Sequence, residues 1–172
     1  MIALVLADTH LTADRADELV DLLGSRLEHV DAIIHAGDVL ESRVLELLAE
    51  FAPVTAVRGN NDTSLDLPEI AELEFGGISI SVVHDSGSAA GRARRLRQMF
   101  TTADVVVFGH SHLPWNEECS NGDRTQIHFN PGSPTQRRRA PSRTIGWITV
   151  EDGRMTCRHE HLADGADPEI RR

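Results

Sequence analysis

The chain has 172 residues, 40% hydrophobic and 26% charged, the proportions of one soluble folded domain rather than a disordered tail. Its formal charge of −10, from 27 acids against 17 bases, opposes loose attachment to nucleic acid or an anionic membrane, yet leaves room for a small phosphorylated substrate at a locally positive site. Apolar runs of about seven residues fall far short of the ~20 a membrane span needs, MIALVLADTH lacks the basic region and cleavage site of a signal peptide, and two cysteines make no disulfide framework. The expectation is a single cytoplasmic domain over residues 1–172, with the last ten residues frayed.

In chain order, Ile2 to Ala7 is short, apolar and β-branched, and predicts a buried strand. Leu19, Val20, Leu22, Leu23 and Leu27 form a stripe that predicts a helix over Asp14 to His29. Asp31 to His35 predicts a strand, Ser42 to Phe51 a helix stopped by Pro53, and Val54 to Val57 a third strand. This β-α-β-α-β order predicts a parallel sheet with right-handed crossovers. Ile70 to Phe75, Gly76-Gly77 and Ile78 to Val83 predict a hairpin. Ser88 to Phe100 predicts an arginine-rich helix and Val105 to Phe108 a buried strand. Gln126 to Phe129, Thr144 to Val150 and Met155 to Glu160 predict later strands, the last two joined at Asp152-Gly153. Arg137-Arg138-Arg139, between Pro134 and Pro141, predicts an exposed loop.

The polar residues fall at strand ends. The first strand runs into Asp8-Thr9-His10, the second into His35-Ala36-Gly37-Asp38, the third into Gly59-Asn60-Asn61-Asp62. Later strands run into His84-Asp85 and Gly109-His110-Ser111-His112. Sites in open α/β sheets form outside the carboxyl ends of the strands, so these groups are expected to converge. Asp8, Asp38, Asn60, His10, His84, His110 and His112 make two carboxylates, one amide oxygen and four imidazoles. Mixed oxygen and nitrogen donors suit Mn²⁺, Fe, Zn²⁺, Co²⁺ or Ni²⁺. Seven donors exceed the needs of one such ion and fit two ions sharing a carboxylate, an arrangement that clamps a phosphate when the ions lie about 3.5–4 Å apart.

DTH, GD, GNND, a strand-end His and GHSH, in this order, resemble the calcineurin-like metallophosphoesterases. The small size and NPGS at Asn130 to Ser133 look like the compact bacterial and archaeal phosphodiesterase branch, and the resemblance runs from about Met1 to Val150. It implies an α/β (α+β) fold, a two-sheet β-sandwich flanked by helices. It implies that Asp8, His10 and His112 bind a first metal, that Asn60, His84 and His110 bind a second, and that Asp38 bridges them. It further implies phosphoester hydrolysis by a metal-bridging hydroxide, with Asp38, Asn61 and His110 as the catalytic residues. The cofactors so implied are two divalent ions, Mn²⁺ first, with Zn²⁺, Fe, Co²⁺ or Ni²⁺ as alternatives. The expected partner is a small phosphodiester substrate, without strong nucleic-acid binding; oligomeric state is left open, a homo-oligomer included. The alternatives are a phosphomonoesterase on the same site and a protein-interaction scaffold that keeps the fold without the chemistry.

Two positions depart from the family pattern. Asn61 stands where many members carry a histidine after the metal-binding asparagine; an amide can hydrogen-bond a phosphate oxygen but cannot act as a general acid near neutral pH. Poor leaving groups are therefore expected to react slowly. Asp85 follows His84 where members often read His-Gly-His, and adds a negative charge. His35 and His128 read as structural, His35 in support of a metal ligand, and His29, His159 and His161 as surface residues. Arg92, Arg94, Arg95 and Arg97 read as a solvated helix face, with a phosphate contact by one of them as the alternative. Cys119 reads as a plain loop or strand residue.

Overall fold

The computed structural model describes residues 1–121 and 124–163. The tail expected to fray, apart from Ala163, lies outside the described residues. In chain order the elements are β1 (Ile2–Leu6), α1 (Ala16–Leu23), β2 (Ala32–His35), α2 (Ser42–Ala49), β3 (Val54–Ala56), β4 (Ile70–Phe75), β5 (Ile78–Val83), α3 (Arg92–Met99), β6 (Val105–Val107), β7 (Trp115–Asn121), β8 (Arg124–Asn130), β9 (Thr144–Glu151) and β10 (Arg154–His161). They form two five-stranded sheets, ordered β10-β9-β1-β2-β3 and β4-β5-β6-β8-β7. β1, β2 and β3 are parallel, as their alternation with helices predicts. In the second sheet β5, β6 and β8 are parallel, flanked by the antiparallel edge strands β4 and β7. The fold is the expected α/β two-sheet sandwich. Among the described residues no helix is long and apolar enough to cross a membrane.

Side-chain alternation along β1 explains the layering. Leu4 and Leu6 point outward and pack with Leu19 and Leu23 of α1 and Val44 and Leu48 of α2. Ala3, Val5 and Ala7 point inward and meet Ile80, Val82, Val105, Val107 and Phe129 of the other sheet. α3 covers the far face of that sheet, with Leu96 and Phe100 against Val106 and Phe108. Full burial of each such aliphatic or aromatic side chain contributes about 1.5–3 kcal/mol.

Three elements depart from their sequence expectation. The helix expected over Asp14 to His29 is α1 flanked by 3-10 turns at Ala13–Arg15 and Gly24–Leu27; Gly24, at φ 51°, breaks it while Leu27 still reaches the core. α3 starts at Arg92 rather than Ser88, because Gly91 precedes it in a left-handed conformation, φ 71°. β7 was not expected at all. It is an edge strand pairing Trp115 with Asn130 and Cys119 with Gln126, and its exposed, mostly polar residues hide the apolar alternation that marks half-buried strands.

Candidate metal centre

The carboxyl ends of β1, β2, β3, β5 and β6 meet at one rim. Backbone bonds fasten the loops there: Asp8 N–H donates to Gly37 O at 2.9 Å, His10 N–H to Asp38 O at 3.0 Å, and Gly109 N–H to His84 O at 2.9 Å. Asp8, His10, Asp38, His110 and His112 all adopt positive φ, between 48° and 68°. Left-handed conformations at non-glycine residues cost of order 1–3 kcal/mol each and cluster at functional sites. Gly37 lets the loops close: a Cβ there would lie 2.7 Å from His84 Nδ1.

The rim brings all seven expected metal-binding side chains together. His84 Nδ1 donates to Ala36 O at 2.7 Å, so its Nε2 presents a lone pair. That nitrogen faces two oxygens, Asn60 Oδ1 at 3.0 Å and Asp38 Oδ2 at 3.5 Å. His112 repeats the arrangement: Nδ1 donates to Gln136 O at 2.6 Å, and Nε2 faces His10 Nε2 at 3.2 Å and Asp8 Oδ1 at 3.6 Å. His10 Nε2 also lies 3.5 Å from Asp38 Oδ2, which is thus equidistant from imidazoles of both groups. His110 Nδ1 lies 2.9 Å from Asn60 Oδ1. Asp8 Oδ2 is buried without a hydrogen-bond partner. Asp8, His10 and His112 offer donor atoms within 4.8 Å of one another, and so do Asp8, Asp38 and His84. Inward lone pairs on His84 and His112, beside an orphaned oxygen of Asp8, are what a divalent cation resolves; the residues present fit a metal site.

The electrostatics agree. Burial, with Asp38 adding its charge, pushes Asp8 up to about 8. Burial also works against the charge of Asp38, but it is outweighed by the Asn61 hydrogen bonds and the nearby His84 and His10, and the carboxyl stays below its ordinary value. Burial lowers His10, and lowers His112 to about 4, which in both favours the neutral ring, the form that binds metal.

Residues within or beside the motifs support the centre; the roles of Asp62 and Ser133 escaped the sequence reading. Asp62, fully inside, accepts from Asp38 N–H at 2.9 Å, Gly59 N–H at 2.8 Å and Leu40 N–H at 2.8 Å, and so fixes the loop that carries Asp38. Asn130 donates to Gly109 O at 2.8 Å and Ser111 Oγ at 3.2 Å, holding the GHSH turn. Ser133 donates to Asp8 O at 2.8 Å. His35 is buried against Thr9, 3.1 Å from its Oγ1, beneath the centre rather than in it. The signal in sequence was position alone: each lies within or next to a motif.

Asn61 is exposed and holds Asp38 from two sides, its N–H donating to Oδ1 at 2.8 Å and its amide to Oδ2 at 2.7 Å. Asp85 is exposed and accepts from Gly87 N–H at 2.7 Å. A cavity of about 320 Å³ adjoins the centre, lined in part by Arg58, Asn60, Glu69, His84 and Asp85. Two surface expectations are corrected. Three of the α3 arginines are tied down, Arg95 donating to Ser86 O at 2.6 Å and Arg97 to Ser120 O at 2.8 Å, while Arg92 lies 5.0 Å from the Phe108 ring centroid; Arg94 is exposed as expected. His159 is half-buried, donating to Asn130 O at 2.7 Å and stacked on Phe129, because β10 packs its inner residues on the sheet.

Comparisons with known proteins agree with this geometry. A probable metallophosphoesterase of Methanocaldococcus jannaschii, MJ0623, is 40% identical over 151 residues, covering 86% of this chain and 75% of that protein. Vps29 of Entamoeba histolytica, complexed with Zn²⁺, superposes with a TM-score of 0.69 at 20% identity, covering 95% of this chain and all of that one. A structure described as a novel archaeal phosphodiesterase superposes at 0.68 with 19% identity, covering 93% of this chain and all of that one. At such identities the two structures show a shared fold. The model of the calcineurin-like phosphoesterase superfamily domain matches residues 1–153, and the chain belongs to that superfamily.

Proposed function

We propose that this chain is a metal-dependent phosphodiesterase with a centre for two divalent ions. Asp8, His10 and His112 hold one, Asn60, His84 and His110 the other, and Asp38 lies between them. The observation that carries this reading is Asp38 Oδ2 at 3.5 Å from both His10 Nε2 and His84 Nε2. Bound there, two cations supply an activated water and a clamp for the phosphoryl oxygens. The chain's own residues do the rest. Ala36 O and Gln136 O fix the tautomers of His84 and His112, and the Asn61 bonds keep Asp38 ionised. Asn61 has a second amide hydrogen for a phosphate oxygen. Arg138 is the cation whose charge reaches Asp8, His10 and His112, and it offers a counter-charge to bound phosphate.

A diester fits better than a monoester. The adjoining cavity has room for a second ester group, and its walls carry Glu69 and Asp85 against Arg58, which is already paired to Glu69 at 2.6 Å. That acidic surround opposes a dianionic monoester more than a monoanionic diester. With an amide at Asn61 in place of an acid, leaving groups that depart unprotonated react fastest. The scaffold alternative is disfavoured because every expected donor is present and turned inward. The test is hydrolysis of a p-nitrophenyl phosphodiester and its monoester with Mn²⁺. The diester is expected to be turned over with the higher kcat/KM. A folded sample inert towards both with every divalent metal tried contradicts the proposal.

A further inference from the structure

A second cluster of donors lies away from the rim, on the face of the second sheet that carries α3. Glu117 and Cys119 stand two residues apart on β7, His128 faces Glu117 across the ladder, and Gln126 faces Cys119. The period of two puts all four on one face. One donor atom each from Glu117, Cys119 and His128 lies within 4.8 Å of the others. Cys119 and His128 are buried, and Glu117 is half-buried.

The surroundings fix the proton on His128. Gln126 Nε2 donates to two carbonyls, Phe100 O at 2.7 Å and Ala103 O at 2.9 Å, which sets the amide's orientation. Its Oε1 then faces His128 Nε2 at 2.8 Å. That oxygen only accepts, so Nε2 carries the ring hydrogen and Nδ1 presents a lone pair. The lone pair is aimed at Cys119 Sγ, 3.4 Å away. A carbonyl–amide–imidazole relay of this kind orients histidine ligands at metal sites.

The geometry points to a second cation site formed by Glu117, Cys119 and His128, for a borderline-soft divalent ion such as Zn²⁺ or Co²⁺. A sulfur donor selects such ions over Mg²⁺, Ca²⁺ or Mn²⁺, and the seven rim donors include no sulfur. Carboxylate and thiolate together balance the ion's two charges. Three protein donors leave a position for water or an added ligand. A cavity of about 180 Å³, lined by Arg97, Thr101, Cys119, Arg124 and Gln126, adjoins the cluster. The two arginines there are engaged with the carbonyls of Ser120, Thr101 and Thr102.

Cobalt separates this site from the rim, because only a thiolate–Co²⁺ bond gives ligand-to-metal charge-transfer absorption in the near ultraviolet. The chain has two cysteines, so Cys157→Ser retains Cys119 alone. Titrated with Co²⁺, that variant is expected to develop the band, saturating at one thiolate-bound ion per chain. Cys119→Ser is expected to lack it and to bind one Zn²⁺ fewer by dialysis. A folded Cys157→Ser protein without the band overturns the proposal, as does a band of equal strength in Cys119→Ser. Should Cys119→Ser fail to fold, the Cys157→Ser titration decides alone.

Discussion

Asp38 is held on every side: its N–H by Asp62, its two oxygens by Asn61, and its backbone in a left-handed conformation. The support matters as much as the carboxylate, because a loose ligand loses its geometry. Asp62→Ala strands three N–H groups and is expected to weaken metal binding by about 10–100-fold, measured by calorimetric titration with Mn²⁺; unchanged affinity contradicts the positioning role. The seven donors were legible because each sits at the end of an apolar run, in a spacing whose chemistry is specific. Asp62 and Ser133 were not, because their work is to satisfy backbone groups that only tertiary structure brings near. His35 sets a pH dependence. Burial pushes it down to about 4, below its unfolded value of 6.5. The unfolded chain therefore takes up a proton first as pH falls, and the folded state loses stability from about pH 6.5 down to about pH 4, at roughly 1.4 kcal/mol per pH unit at most. Urea denaturation of wild type and His35→Leu at pH values spanning that window is expected to show the steeper loss in wild type; equal slopes contradict it.

At the scale of elements, β1 anchors both the core and the centre. Its outward Leu6 is fully buried against the helices, two residues before Asp8. Leu6→Ala is expected to cost about 2–5 kcal/mol, read from the urea midpoint, whereas Ile2→Ala at the exposed start of the strand costs well under that range. β1, β2 and β6 were legible as short apolar runs because both of their faces are covered. β7 was not, since an edge strand with one polar face carries no such run. The α1 stripe predicted the buried face correctly, but the length of the helix was decided by Gly24.

At the scale of the molecule, two sheets with parallel segments pointing the same way deliver five loops to one rim, and this is why residues a hundred positions apart share a site. Hydrophobic packing between the sheets holds the rim together against the cost of its left-handed backbone. The most direct measurement is anomalous diffraction at the manganese edge from crystals grown with Mn²⁺. Two peaks flanking the Asp38 carboxylate, one among Asp8, His10 and His112 and one among Asn60, His84 and His110, are the predicted result. A single peak, or none at the rim, contradicts it.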